Sequence, residues 1–151
     1  MKLNILVGSG RKIGLFTLPF LVAGLTTNIL WPSLFEVGGP SPALTWISIM
    51  ALFPGVIVWI WSVIMILTKI PRKELITTGP FSIVKHPLYT GVALLVIPWI
   101  GFLLNSWLGV LIGLIVYIGS RIYSPEEEKI LLKIFGEEWN EYCRKVKLPW
   151  I

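Results

Sequence analysis

Four long apolar runs divide the chain, and shorter polar segments separate them. The runs cover residues 13–35, 43–67, 88–104 and 107–122. About 20 apolar residues in a helix cross the hydrocarbon core of a bilayer. The two shorter runs still reach across a thin layer, because a helix rises ~1.5 Å per residue. The pattern predicts an all-α integral membrane protein of about four transmembrane helices in two hairpins, the second of which turns at Asn105-Ser106.

The lysines and arginines flank these runs on one side only. All 13 lie in the N-terminal arm, in the loop between the second and third runs, or in the C-terminal tail. The other side has only Glu36 as a charged residue in the first loop. Because Lys and Arg near span ends accumulate on the cytoplasmic side, we expect both termini and the active site to face the cytoplasm. Membrane orientation then explains the net charge of +5, and we expect no nucleic-acid partner.

Composition agrees with a membrane protein and narrows the possible chemistry. Hydrophobic residues make up 55% of the chain and charged residues 14%, against about 25% charged in soluble domains. We expect one membrane domain over 1–151, in which 1–67 forms the first hairpin and 68–151 carries the chemistry. Cys143 and His86 are the only residues of their types, and Asp is absent. These counts exclude an intrachain disulfide, a His/Cys zinc cage and a Ser-His-Asp triad, so we expect no metal site.

The tail after residue 122 is predicted to form two short amphipathic helices. Ser124 is a good N-cap, Pro125 suits the first helical position, and Glu127 completes a capping box, so the first helix should begin there. Gly136 should end it. The second helix, over 137–146 with Pro149 beyond its end, places four packing residues on one stripe: Trp139, Tyr142, Cys143 and Val146.

Polar chemistry concentrates in two segments that this topology brings to one membrane face. Residues 79–91 combine the cation Lys85, the imidazole His86 and the phenol Tyr89 within a Pro- and Gly-controlled backbone. These residues either build a site or merely anchor the third span at the interface. Arg121 and the acids at 126–128 either cap and anchor a helix or bind a charged ligand.

Several ordered motifs in this region resemble the isoprenylcysteine carboxyl methyltransferase family and its phospholipid methyltransferase relatives. The resemblance covers residues 73 to 151. The matching positions are Gly79-Pro80-Phe81, Lys85 to Gly91, Glu127-Glu128, Leu131, Phe135-Gly136, Trp139, Tyr142 and Pro149. Two positions depart from the family pattern. Lys85 replaces an arginine, which loses bidentate geometry, and Tyr123 stands where the isoprenylcysteine enzymes have an arginine that binds the substrate carboxylate.

The resemblance implies a methyltransferase with S-adenosyl-L-methionine as cofactor and a lipophilic or lipid-modified acceptor that enters from the membrane lipids. It assigns catalytic roles to His86, Tyr89 and Arg121, and substrate contacts to Arg121 and Tyr123. The implied cofactor residues form a strand and turn, a second wall and an acidic pair. They are Lys73, Glu74, Leu75, Ile76 and Phe81, then His86, Pro87, Leu88 and Tyr89, then Glu127 and Glu128.

The acceptor most in keeping with the resemblance is a prenylcysteine-like carboxylate, which would be O-methylated. A phospholipid amine is the alternative acceptor. Two further possibilities stay open at this point. One is an NADPH-dependent sterol-type reductase, whose C-terminal segments resemble Trp139-x-x-Tyr142-Cys143. The other is a non-enzymatic membrane scaffold in which the polar clusters are interfacial anchors.

Overall fold

The computed structural model describes residues 8–39 and 41–148. Within these residues the chain forms four major helical segments and one short helix after them. Helix α1 covers Gly8–Leu30 and α2 covers Pro42–Lys69. A composite segment follows, with α3 at Pro87–Gly91, a π-helical stretch at Val92–Val96 and α4 at Ile97–Leu103. Helix α5 covers Leu108–Phe135, and α6 covers Glu137–Lys145. Short 3₁₀ turns lie at Pro32–Leu34, Ile70–Arg72 and Gly79–Ser82.

Among the described residues, three helices are long and apolar enough to cross a membrane, namely Ser9–Leu30, Pro42–Arg72 and Leu108–Phe135. A shorter apolar helix, Pro87–Leu103, corresponds to the predicted run 88–104. The all-helical architecture of an integral membrane protein is therefore supported. Within the described ranges the backbone forms no strand, only two isolated bridges.

One predicted helix boundary is wrong. Helix α5 runs without a break through the position where Ser124 was expected to start a new helix, and Pro125 lies inside it. Helix α1 packs along α5 across this junction: the Ser9 hydroxyl donates to the Tyr123 carbonyl at 3.3 Å, and Lys12 pairs with Glu126. A capping box is a local signal, whereas burial of one helix face on both sides of the junction favours continuation despite the proline.

Helix α1 lies five residues earlier than the predicted run 13–35 and ends at Leu30. The predicted second hairpin turn, the end of α5 and the stripe of α6 agree with the structure. Asn105 adopts a left-handed backbone (φ 54°) in the turn between α4 and α5. Gly136 (φ 56°) ends α5, and α6 buries Trp139, Tyr142 and Val146 as one cluster. Pro149 lies outside the described residues.

The helices pack antiparallel to their neighbours in the order α1, α5, α3–α4, α2. Glycines allow the closest approaches. A Cβ added to Gly113 would lie 2.3 Å from the Ala93 carbonyl oxygen, and one added to Gly109 would lie 2.6 Å from the Ile97 carbonyl oxygen. Small residues let helix backbones approach in this way in membranes. The backbones of α5 and the α3–α4 segment are therefore in direct contact.

The two ends of this bundle differ. We call the end with Leu30, Pro42, Leu103 and Leu108 the hairpin end. There, Asn105 Nδ2 donates to Glu36 Oε1 at 3.0 Å, and the Trp107 amide donates to the Phe35 carbonyl at 2.9 Å. These bonds join the first loop to the second.

The opposite end, with Gly8, Lys69, Pro87 and Phe135, is the cavity end. Residues 73–78 cross it without helix or strand. The expected cofactor-lining strand is wrong, since the segment has no neighbouring strand with which to form a ladder. Its backbone turns at Lys73 (φ 58°) and again at Gly79 (φ 62°).

Candidate functional site

A cavity of about 290 Å³ opens at the cavity end. Its walls come from the last turns of α2, the segment between α2 and α3 (residues 70–86, here called the irregular loop), the start of α3, α5 and α6. The lining is mostly apolar, and its polar side chains are Lys85, His86, Tyr89, Glu127 and Tyr142. An apolar cavity with a few convergent polar groups is the usual form of a small-molecule site.

The structure brings eight of the predicted cofactor residues to this cavity. They are Leu75, Ile76, Phe81, His86, Pro87, Leu88, Tyr89 and Glu127. Lys73 and Glu74 instead line a more open cleft of about 750 Å³, which shares Leu75 and Tyr142 with the cavity as a common wall.

The two predicted substrate residues lie elsewhere. Arg121 is exposed and lines neither the cavity nor the cleft. The Tyr123 ring packs edge-on against Phe16 of α1, with ring centroids 6.1 Å apart. Arg121 precedes Glu127 by six residues, which at about 100° per residue directs the two side chains to different faces of α5. Neither substrate residue is thus brought together with the cavity.

Glu127 places a carboxylate on the wall of the cavity. The side chain is partly buried, and the Tyr89 hydroxyl donates to Glu127 Oε2 at 3.4 Å. The same hydroxyl lies close to α1, since a Cβ added to Gly10 would be 3.6 Å from it. Tyr89 therefore bridges α1 and α5 and leaves most of the acceptor capacity of Glu127 available to a ligand.

Glu128, the next residue, is used differently. Its Oε1 accepts a hydrogen bond from Lys85 Nζ at 2.7 Å and lies 3.1 Å from His86 Nε2. The Lys85 and His86 side chains are only 15% and 11% exposed. Glu128 does not line the cavity, because consecutive residues on a helix project about 100° apart. One oxygen thus holds two cavity-lining side chains to α5.

Helix α6 closes the cavity with buried aromatic side chains. The Tyr142 hydroxyl donates to the Phe81 carbonyl at 2.7 Å, and burial raises the pKa of this phenol, so it stays a donor. The backbone continues the closure, since the Leu148 amide donates to the Ile83 carbonyl at 2.8 Å. Cys143 packs at the edge of this cluster, and burial raises the pKa of its thiol, in agreement with the expected packing role.

Sequence reasoning missed part of the cavity wall. Four residues contribute to it: Val63, Ile66 and Leu67 near the end of α2, and Ile70 in the 3₁₀ turn that follows. The first three are ordinary members of an apolar run and Ile70 is a single apolar residue in a polar loop, so the sequence carries no signal for them. Trp139 and Tyr142 also line the cavity, and here a signal existed, since both belong to the motif that carries the family resemblance.

In the ranges 8–39 and 41–148, no group of three or more His, Cys, Asp or Glu side chains is arranged to hold a metal ion.

Comparisons with known proteins agree with the motifs. Residues 64–138 match the family model described as phospholipid methyltransferase. The chain is also similar to protein-S-isoprenylcysteine O-methyltransferase of Homo sapiens, with 29% identity over 156 aligned positions that cover 89% of this chain and 52% of the relative. The chain thus spans about half the length of the curated relative it matches. No solved structure matches it. The resemblance to these two methyltransferase families is confirmed.

Proposed function

We propose that this chain, as a relative of the isoprenylcysteine carboxyl methyltransferases and phospholipid methyltransferases, transfers a methyl group from S-adenosyl-L-methionine to a lipophilic acceptor. The observation that carries the proposal is Glu127, a carboxylate on the wall of an apolar cavity whose only hydrogen bond within residues 8–39 and 41–148 is a long one from Tyr89. Such a carboxylate favours a cationic ligand.

The residues around the cavity fit this cofactor. Glu127 would bind the ammonium of its amino-acid end, and the apolar and aromatic wall with Phe81 and Trp139 would pack on its adenosyl group. S-adenosyl-L-methionine supplies a methyl group on a sulfonium, which is electrophilic without any metal. The protein then has to align the acceptor with that methyl group and exclude water. Alignment of two reactants can supply ~7–11 kcal/mol of the barrier.

We propose four spans, with both termini and the cavity end at the cytoplasmic face. The cavity end gathers the cations at the start of α1 and the end of α2, among them Lys12 and Lys69, together with Lys85 and Arg121. This distribution is the one that sets orientation in membranes. A water-soluble donor would then reach the cavity from the cytoplasm.

The acceptor would enter from the bilayer along α2. Leu67 lines the cavity and yet is 60% exposed on the outside of the bundle. One side chain is therefore shared by the cavity wall and the apolar outer surface. This arrangement favours a lipophilic acceptor whose chain remains in the membrane while its polar end reaches the donor.

A prenylcysteine-like carboxylate is the first candidate acceptor, on the basis of the similarity to the isoprenylcysteine enzyme. A phospholipid amine is the second, and one observation favours it: Lys85, the only Lys or Arg on the cavity wall in the part of the chain that the structure describes, already pairs with Glu128. A carboxylate needs a cation to orient it but needs no base. An ammonium acceptor must first lose a proton, for which His86 is the candidate base.

Calorimetry with the purified protein tests the cofactor. We expect S-adenosyl-L-methionine to bind the wild type, and Glu127→Gln to weaken binding roughly 10- to 100-fold, since the neutral amide removes the charge that strengthens the bond to the ligand's ammonium. Glu126→Gln is the matched control, because Glu126 lies on the same turn and pairs with Lys12. Equal affinities of wild type and Glu127→Gln, or binding of NADPH in place of the methyl donor, would count against the proposal.

A transfer assay with labelled methyl donor identifies the acceptor. The protein is incubated in turn with lipid extracts, with a prenylcysteine and with a phospholipid amine. If the acceptor is a carboxylate oriented by Arg121, then Arg121→Ala should abolish transfer and leave donor binding intact. Retained transfer to a carboxylate in that variant would remove Arg121 from the site. Transfer to the amine alone would establish the second candidate.

A further inference from the structure

The acidic pair Glu127-Glu128 offers two carboxylates on one turn of α5, but their surroundings differ. Glu127 lines the cavity and Glu128 does not. Glu128 instead accepts at a single oxygen, Oε1, from Lys85 and His86. Both partners belong to the segment that leads into α3, 42 and 43 residues earlier in the chain. Glu128 is therefore a tertiary link between α5 and the loop that lines the cavity.

The Glu128 carboxylate determines which nitrogen of His86 carries the proton. An ionised carboxylate can only accept hydrogen bonds, so at 3.1 Å from Glu128 Oε1 the His86 Nε2 must carry a hydrogen. Lys85 Nζ, 2.7 Å from the same oxygen, favours the ionised form of this carboxylate. Nδ1 is then the nitrogen with a lone pair in the neutral ring. It does not cap α3, since the His86 side chain makes no capping hydrogen bond there.

The ring is also held in place by its neighbours. The His86 and Tyr89 rings are roughly parallel, at 29°, with centroids 6.1 Å apart. Tyr89 in turn donates a hydrogen bond to Glu127. Each of the two adjacent acids therefore contacts a different ring of this stacked pair. Glu127 contacts the phenol, and Glu128 contacts the imidazole.

We infer that Glu128 is a positioning residue: it holds His86 against the cavity as the Nε2–H tautomer, so that any proton the imidazole takes from an acceptor goes to Nδ1. Of the two adjacent acids, only Glu127 contacts the ligand. This inference rests on the proposed function for its catalytic part, and on the geometry of Glu128, Lys85 and His86 for its structural part. A group that fixes the tautomer of a histidine base acts on turnover through that base.

Nitrogen NMR tests the structural part directly, because His86 is the only histidine in the chain. Protein labelled with ¹⁵N-histidine therefore gives the signals of one imidazole. At mildly alkaline pH we expect the wild type to show a slowly exchanging proton on Nε2. Glu128→Ala should lose that protection, whereas Glu126→Ala, the same change two residues earlier, should retain it. A proton on Nδ1 in the wild type, or an unchanged signal in Glu128→Ala, would overturn the inference without any measurement of activity.

Kinetics test the catalytic part. Glu128→Ala should bind S-adenosyl-L-methionine within about threefold of the wild type and lower kcat roughly 10- to 100-fold, the usual effect of losing an outer partner of a functional histidine. The double variant Glu128→Ala/His86→Ala should be no slower than His86→Ala alone, since Glu128 acts through His86.

If Glu128→Ala lowers the affinity for S-adenosyl-L-methionine as much as Glu127→Gln does, then Glu128 binds the ligand directly. If kcat of Glu128→Ala equals that of the wild type, then Glu128 has no role in turnover. Either result overturns the inference. A wild-type protein that binds no donor would overturn the proposed function and still leave the NMR measurement to decide how His86 is held.

Discussion

Both ends of the bundle have backbone and side-chain hydrogen bonds, but the hairpin end and the cavity end differ in how closely the helix backbones approach. Towards the hairpin end, backbone meets backbone: Gly109 lies on the Ile97 carbonyl, and the Trp107 amide donates to Phe35. At the cavity end, side chains span the gap, as in the hydrogen bonds from Lys85 to Glu128 and from Tyr142 to Phe81. Backbone contact leaves no space for a ligand, whereas side-chain links can surround one. The difference separates the part of the chain that sets the packing from the part that can bind.

The comparison predicts that the largest loss of stability comes from substitutions at the backbone contacts. Gly113→Ala would place a Cβ 2.3 Å from the Ala93 carbonyl oxygen, and a backbone atom cannot move aside alone. We expect the free energy of unfolding to fall by roughly 3 kcal/mol, at the upper end of overpacking effects. Thermal unfolding in detergent measures it.

Gly14→Ala is the matched control, because a Cβ there meets nothing within 4 Å. It makes the same chemical change on a helix and should leave the unfolding midpoint unchanged or slightly higher. Equal midpoints for Gly113→Ala and the wild type would contradict the view that α5 and the α3–α4 segment are in backbone contact.

A smaller effect is expected where the irregular loop meets α2. Gly79 combines a left-handed backbone with a Cβ position 3.1 Å from the Trp61 ring and 3.2 Å from the Met65 sulfur. Gly79→Ala should cost roughly 2 kcal/mol of stability, from backbone strain and contact together. It should also weaken donor binding, since the loop that follows α2 lines the cavity.

Gly136→Ala separates the two causes. Gly136 has a similar φ of 56°, but a Cβ there meets nothing within 4 Å. It should therefore show backbone strain alone, roughly 2 kcal/mol because its ψ of −124° lies outside the left-handed helical region, and it should leave donor affinity unchanged because Gly136 does not line the cavity. If both variants lose the same stability and donor affinity, the contact of Gly79 with α2 has no energetic role.

The smallest effect sharpens the role of α6. Tyr142→Phe removes one hydroxyl and leaves the Phe81 carbonyl without its donor at a buried site. We expect a loss of roughly 1 kcal/mol, together with weaker donor binding, because both residues line the cavity. Thermal unfolding and calorimetry on the same samples report the two effects.

Tyr117→Phe, on a partly buried position of α5, serves as the control. If Tyr142→Phe and Tyr117→Phe give the same results in both measurements, then the hydrogen bond from Tyr142 to Phe81 contributes neither to stability nor to donor binding.

The sequence predicted those features that depend on local pattern. Apolar runs located α2 and the Pro87–Leu103 helix within one or two residues, and Gly136 marked the end of α5 as expected. The capping box at Ser124 misled for the same reason: it is local, whereas the continuity of α5 depends on its packing with α1. The cavity residues of α2 could not be recognised, since an apolar residue that lines a cavity and one that faces lipid satisfy the same pattern.

The candidate site divides in the same way. Motifs carried by the family resemblance identified Phe81, His86, Tyr89 and Glu127, and all four line one cavity. The different surroundings of Glu127 and Glu128 were beyond the sequence, because the partners of Glu128 lie more than 40 residues away. Arg121 was assigned a substrate contact by position along the chain, and the structure places it on the exposed side of α5.

The position of α6 in the chain has a consequence for biosynthesis. Synthesis proceeds from the N-terminus, so helices α1 to α5 leave the ribosome before Trp139 and Tyr142, which complete the cavity wall. A nascent chain that has reached Phe135 can already be inserted in the bilayer and yet lack a finished binding site. The ability to bind a ligand would therefore be acquired late, as a step that follows membrane insertion.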